Sequence, residues 1–230
     1  MSAARMAGVD LVLFDLDGTL VETAPEICDA VNDTLRALGL PAAPLAKVEA
    51  WIGHGTRQLL LHSLADATAK PAQQVMDSSL WRAAQPRFAA DYERRCGTTS
   101  RLYPHAREVL QALGERGVRR ALVTNKEQRF TTPVLRRHGL RNLLDRVVCG
   151  DTLPTKKPDP AGVLDCLRAF GVAAGRALFI GDSSIDVATA RNAGVAVWAL
   201  THGYNMGEPI AAARPDRVLD GLDAIVEVAA

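Results

Sequence analysis

The feature that most constrains this chain is an alternation that runs through its second half. Short apolar runs at 120–123, 146–149, 177–180 and 195–200 are separated by helical patterns at about 106–117, 130–139, 160–171 and 184–194. Gly117, Gly139, Gly171 and Gly194 fall where those helices should end. A fifth run, at 9–14, is apolar and β-branched and stops at Asp17-Gly18-Thr19, which reads as a buried strand ending in a tight turn. Strands that alternate with helices in this way predict an α/β fold, a parallel sheet covered by helices on both faces.

The interval from about 21 to 100 breaks the pattern. It carries no convincing strand, but helical patterns at 25–38, 44–51, 56–67 and 71–95. Pro25 and Pro71 suit first-turn positions, where the missing N–H costs nothing. An all-helical block between the first strand and the rest of a sheet predicts an inserted cap. The expected division is therefore a core made of 1–21 and 101–230, with a helical cap at 22–100. Ligands of open α/β sheets bind beyond the carboxyl ends of the strands, so the polar residues ending these strands are where chemistry is expected.

Composition removes several classes. With 48% hydrophobic and 23% charged residues among 230, the chain is ordinary globular protein. Its 27 basic side chains nearly cancel 26 acidic ones, unlike a dedicated nucleic-acid binder. Cys28, Cys96, Cys149 and Cys166 form no CxxC pair or zinc-like spacing and read as reduced packing residues, which fits a cytoplasmic home. The apolar run after Gly8 is interrupted by Asp10 and Asp15, unlike a signal peptide, and no stretch reaches the roughly 18–20 apolar residues of a membrane helix. Charge and composition are compatible with a monomer or a homodimer alike.

Four polar clusters follow predicted strands: Asp15-Leu16-Asp17-Gly18-Thr19, Thr124-Asn125-Lys126, Lys156-Lys157-Pro158, and Gly181-Asp182-Ser183-Ser184-Ile185-Asp186. Singly, each has a bland reading as a turn, a helix cap or a solvated loop. Together, in this order and each on a strand end, they point to one site. Only five of the 27 basic residues are lysines, and three of those, Lys126, Lys156 and Lys157, lie in these segments. Where arginine is the habitual choice, lysine suggests that a compact ammonium is wanted.

The set DLDGTL at 15–20, TN at 124–125, KP at 157–158 and GDSSID at 181–186 resembles the haloacid dehalogenase superfamily of phosphotransferases, over nearly the whole chain. The resemblance implies a Rossmann-like parallel-sheet core with an inserted helical cap. It implies Asp15 as nucleophile, forming an aspartyl-phosphate, and Asp17 as general acid and base. Mg²⁺ is then held by Asp15, the Asp17 carbonyl and Asp182. Asp186, one helical turn beyond Asp182, is implied as a supporting ligand or a partner of the metal waters and Lys157. Thr124, the Asn125 amide and Lys157 are implied at the transferring phosphoryl oxygens. Between the adjacent lysines, the superfamily's lysine-before-proline pattern selects Lys157 over Lys156. The Asp at 17 and Leu16 set the chain apart from the dehalogenase, phosphonate hydrolase and transport ATPase branches, which leaves phosphate esters.

Selectivity should come from the cap. Gly53 and Gly55 precede a predicted helix whose N-terminus could receive an anionic end of the substrate. Arg57 could clamp a carboxylate, while His54 reads more simply as a turn residue. TAPEI at 23–27, WIGHG at 51–55, VTNK at 123–126, HGYN at 202–205 and GEPI at 207–210 resemble the phosphoglycolate phosphatase branch. The implied partner is a small phosphorylated metabolite, first 2-phosphoglycolate. N-acetylmuramic acid 6-phosphate, another sugar phosphate, a nucleotide, or a non-catalytic role as a phosphate-metabolite sensor stay open. His202, Tyr204 and Asn205 are expected to be loop structure.

Overall fold

The computed structural model describes residues 8–225; the expected core positions 1–7 and 226–230 lie outside them. The chain opens with β1 (Leu11–Phe14) and a short β2 (Val21–Glu22), followed by five helices. These are α1 (Ala24–Ala37), α2 (Leu45–Glu49), α3 (Thr56–Thr68), α4 (Ala72–Met76) and α5 (Ser79–Arg95). After β3 (Arg101–Leu102) the expected alternation begins, with α6 (Ala106–Glu115), β4 (Arg119–Val123), α7 (Gln128–Arg137) and β5 (Arg146–Val148). It continues through α8 (Ala161–Phe170), β6 (Ala177–Gly181), α9 (Ser184–Asn192), β7 (Ala196–Leu200) and β8 (Arg217–Leu219).

Six of these strands form one parallel sheet in the order β5-β4-β1-β6-β7-β8. β1 lies inside it, with Leu11–Phe14 wholly buried, because helices cover both faces and no alternation with polar residues is needed. Successive side chains of a strand point to opposite faces. Accordingly Leu11 and Leu13 join the core under α8 and α9, with Phe179, Val163 and Val187. Val12 and Phe14 join the larger core on the other face, which continues into the cap. Among the described residues no helix is long and apolar enough to cross a membrane.

Three expectations are corrected. β8 lies on the sheet edge beside β7, and its three residues carry too little pattern to be read as a strand. A strand does occur at the start of the insert: β2 pairs antiparallel with β3, Val21 opposite Leu102 and Glu22 opposite Arg101. The helix expected over 71–95 is two helices, because Ser78 caps a new start, its side chain accepting from Trp81 N at 3.2 Å.

Within the insert, α1 and α5 are joined by charged and polar groups as well as apolar packing. Asp91, fully buried, accepts from Thr34 Oγ1 at 3.0 Å and pairs with Arg87 and Arg94 at 2.8 and 2.7 Å. Arg95 crosses to Asp33 at 2.7 Å. The free cysteines Cys28, Cys96, Cys149 and Cys166 are all buried, as expected of packing residues, and burial pushes the Cys96 and Cys166 thiols up to about 12.

Candidate active site

From β1 the chain leaves to one side, through β4 and β5, and returns on the other at β6. The loops after β1, β4 and β6 therefore diverge around one crevice, the place where such sheets hold ligands. All four sequence clusters meet there.

Asp15 follows directly on β1, its backbone N–H donating to Ile180 O at 3.0 Å, so the strand pair β1–β6 fixes its position. Lys157 Nζ lies 2.8 Å from Asp15 Oδ1 and 2.7 Å from Asp186 Oδ1, with only 5% of the residue exposed. Apart from this ion pair, buried Asp15 Oδ1 accepts no hydrogen bond among the described residues. Asp182 Oδ1 accepts from Thr19 Oγ1 at 2.5 Å, and its Oδ2 from Tyr204 N at 2.6 Å. Asp15, Asp182 and Asp186 each offer a carboxylate oxygen within 4.8 Å of the others.

Crowding like charges out of water sets the electrostatics. Burial, reinforced by the charges of Asp186 and Asp17 and opposed by Lys157, pushes Asp15 up to about 7. Burial with Asp186 and Asp15 raises Asp182 well above the usual carboxylate range. Burial alone would lower Lys157, but Asp15 and Asp186 outweigh it and hold the lysine above its ordinary value. Three carboxylates share a single ammonium, and a hard divalent cation with oxygen ligands suits that surplus of negative charge.

Asp186 is the most committed of the three. Its Oδ2 accepts from Ser183 Oγ at 2.7 Å, Ser183 N at 3.0 Å and Asp182 N at 3.2 Å, while Oδ1 takes Lys157. With Ser183 it forms a reciprocal capping box at the start of α9. Asp182 has fewer partners, Thr19 and the Tyr204 backbone. Asp17 stands outside the cluster. Its side chain turns to Lys126, Nζ to Oδ1 at 2.8 Å.

Two glycines let backbone approach these carboxylates. Gly18 has φ of 88°, and a Cβ there would sit 2.3 Å from Asp182 Oδ2. A Cβ at Gly203 would sit 2.2 Å from both Cβ and Oδ2 of the same aspartate. Gly203 belongs to HGYN, whose other members build structure as expected. Tyr204 Oη accepts from Ala24 N at 3.0 Å, Asn205 Oδ1 accepts from Ser184 N at 2.8 Å, and His202 packs at a tilt against the Tyr103 ring.

The remaining expected residues divide between the cleft and the surface. Thr124 is buried beside the cleft, its hydroxyl accepting from Lys126 N at 3.3 Å. Asn125 also lines the cleft, but Nδ2 donates to Gly53 O at 2.9 Å and Lys157 O at 3.0 Å. An amide has two N–H donors, so none is left for a phosphoryl oxygen. The residue instead ties the cap loop and the Lys157 loop together. Gly53 and Gly55 do line the cleft, whereas Arg57 is exposed and stacks over Trp81, its Cζ 5.4 Å from the ring centroid. Residues adjacent on a helix project about 100° apart, so Gly55 and Thr56 face the cleft while Arg57 turns away. Exposed His54 offers only its carbonyl, which accepts from Lys156 Nζ at 2.7 Å. Lys156 thus latches the cap loop, while Lys157 pairs with Asp15 and Asp186. Thr56 adds a contact from the cap to Glu127.

Sequence reasoning gave Lys126 no role. Its Nζ sits 4.9 Å from the Tyr92 ring centroid, and the residue is 3% exposed. Burial would lower its pKa, but the charge and hydrogen bond of Asp17 together with the charges of Cys96 and Glu26 outweigh it and hold the lysine above its ordinary value. The signal was present in VTNK and in the rarity of lysine.

A strand-end aspartate paired with a buried lysine, beside carboxylates suited to a divalent cation, sits at the crevice of a parallel α/β sheet, an arrangement fit for phosphoryl transfer. Residues 12–200 match the family described as haloacid dehalogenase-like hydrolase, and the chain belongs to that family as a phosphatase, a phosphoric monoester hydrolase. It is 41% identical over 216 residues to the phosphoglycolate phosphatase of Pseudomonas savastanoi pv. phaseolicola, covering 94% of this chain and 78% of that one. It is 38% identical over 224 residues to the phosphoglycolate phosphatase of Vibrio cholerae serotype O1, covering 97% and 98%. A crystal structure described as a predicted phosphoglycolate phosphatase from Haemophilus somnus 129pt superposes with a TM-score of 0.91 at 33% identity, covering 99% of this chain and 100% of that one.

Proposed function

We propose that this phosphatase hydrolyses 2-phosphoglycolate to glycolate and phosphate, with Mg²⁺, through a phospho-aspartate on Asp15. The observation that carries the chemistry is the Lys157 ammonium held between Asp15 and Asp186 beside Asp182. Likeness along nearly the whole chain to proteins named phosphoglycolate phosphatase supports the substrate.

Asp15, Asp182 and the Asp17 carbonyl are the proposed holders of Mg²⁺, with Asp186 behind them; bound there, the ion screens the negative charge that otherwise keeps a phosphate dianion from a carboxylate. An Asp15 carboxylate oxygen attacks phosphorus, and the bond to the leaving oxygen breaks as Asp17 gives that oxygen its proton. Glycolate leaves. Asp17 then takes a proton from water as the water oxygen attacks the phosphoryl group, which frees phosphate and restores Asp15. The Thr124 hydroxyl and Lys157 steady the phosphoryl oxygens, and Asn125 positions Lys157 through its loop carbonyl. Residues 22–100 act as the cap, over a core of 1–21 and 101–230.

The test is phosphate release from 2-phosphoglycolate, N-acetylmuramic acid 6-phosphate, hexose phosphates and nucleoside monophosphates, with Mg²⁺ or EDTA. A lead for 2-phosphoglycolate of about a hundredfold in kcat/KM, lost with EDTA and in Asp15→Asn, is the expected result. Another ester in the lead sinks the substrate; a fully active Asp15→Asn protein sinks the mechanism.

A further inference from the structure

We infer that Lys126 is the residue that selects a carboxylate-bearing leaving group, by receiving that carboxylate on its ammonium. This rests on the phosphoglycolate reading of the same site.

The cleft has an apolar side, lined by Ile27, Ile52, Leu59 and Tyr92 from the cap, and a polar side at the strand ends. Burying a carboxylate among those side chains without a cationic partner is strongly unfavourable. Among the described residues the cleft has one cationic side chain in its lining, Lys126. The two obvious alternatives are engaged elsewhere: Arg57 is exposed over Trp81, and Lys156 donates to His54 O at 2.7 Å. Lys157 faces Asp15 and Asp186, on the phosphate side.

Lys126 is also at the right distance from the chemistry. Its Nζ lies 2.8 Å from Asp17 Oδ1, the group proposed to protonate the leaving oxygen. In 2-phosphoglycolate one methylene separates that oxygen from the carboxylate carbon. A cation one hydrogen bond from the proton donor therefore reaches a carboxylate on a two-carbon leaving group. An ammonium has three N–H donors. One goes to Asp17, and the Tyr92 ring meets the charge at 4.9 Å, an attraction that uses no acceptor lone pair. Capacity for a substrate carboxylate remains. Glu26, the nearby buried acid of α1, accepts from Gly97 N at 2.7 Å through Oε2, and its Oε1 makes no hydrogen bond, so Lys126 spends no N–H on it.

The experiment compares kcat/KM for 2-phosphoglycolate and for 2-hydroxyethyl phosphate, which replaces the carboxylate with a neutral CH₂OH group. The proteins are wild type, Lys126→Gln, Lys126→Met and Arg57→Ala. The ratio within one preparation is independent of the folded fraction, so partial misfolding of a variant does not disturb it. Gln keeps a hydrogen-bond donor for Asp17, and a loss of acid catalysis lowers both substrates together. The expected result is a wild-type ratio of about a hundredfold that drops at least about tenfold in both Lys126 variants and holds in Arg57→Ala. An unchanged ratio in the Lys126 variants, or a collapse in Arg57→Ala, overturns the assignment while leaving the substrate standing. A wild-type enzyme with no preference between the esters overturns the phosphoglycolate reading and this assignment with it.

Discussion

Lys157 Nζ lies 2.7 Å from Asp186 Oδ1, and Asp186 in turn accepts three hydrogen bonds from Asp182 and Ser183 on its other oxygen. The cation facing Asp15 is therefore positioned from the start of α9, through a carboxylate that is itself immobilised. Removing the cation leaves carboxylates buried without compensation. Lys157→Met is expected to lose stability by about 3–5 kcal/mol in EDTA, with a smaller loss in saturating Mg²⁺. Urea unfolding under the two conditions checks this.

The raised Asp15 pKa links folding, metal and pH. Its folded value of about 7 lies above the ordinary 3.8, so the folded state binds this proton more tightly than the unfolded state does. The resulting stabilisation is full below about pH 3.8 and fades as pH rises through about 7. Metal-free protein is expected to melt at a higher temperature at pH 6 than at pH 8. Mg²⁺ affinity should run the other way and strengthen across the same interval, because the ion competes with the proton. Melting curves with and without Mg²⁺ measure both trends; a metal-free melting temperature that climbs from pH 6 to 8 contradicts the assignment.

Gly203 leaves no room for a side chain against Asp182. Gly203→Ala must displace either the loop or the carboxylate, and a ligand shift of a few tenths of an ångström matters to Mg²⁺ more than to larger ions. The expected outcome is at least about a tenfold rise in the Mg²⁺ concentration for half activity, with an unchanged circular dichroism spectrum. A wild-type metal requirement in the variant would show that Asp182 tolerates displacement.

Asn125 joins the cap loop to the Lys157 loop. Asn125→Ala removes both bonds and leaves two carbonyls without that donor. Each lost bond costs about 1 kcal/mol, so kcat/KM is expected to fall by about tenfold or more, with KM raised as the cap loop loosens. Asn125→Asp keeps the shape but removes the donors, and should not restore the loss. If Ala matches wild type in KM, the cap is held by Lys156 and Thr56 alone.

The parts legible in the sequence were those with periodicity or punctuation. β1, β4, β5, β6 and β7 announced themselves as apolar runs, and the carboxylates were marked by their place at strand ends. β2 and β8 were not legible because two or three residues carry no period, and their pairing is decided by partners distant in sequence. Arg57 misled because residue type proposes a role that only helix phase can refuse. Asn125 was located correctly, but its bonds depend on where Gly53 arrives from the cap. Lys126 was visible as a rare lysine in a motif, yet its meaning lies in Asp17 and Tyr92, which come from two other parts of the chain.

The placement of β1 in the sheet has a further consequence, for the ribosome. The strand made first acquires its neighbours late: β4 begins at Arg119 and β6 at Ala177. At about 5–20 residues per second, the wait from the end of β1 to β6 is roughly ten to thirty seconds. For that time a nascent chain carries a fully apolar tetrapeptide with at least one vacant edge, directly before Asp15. The helical insert emerges during this interval, and its apolar surface extends the same hydrophobic core that Val12 and Phe14 enter. The cap is thus the first apolar surface available to shelter β1 until translation delivers the rest of the sheet.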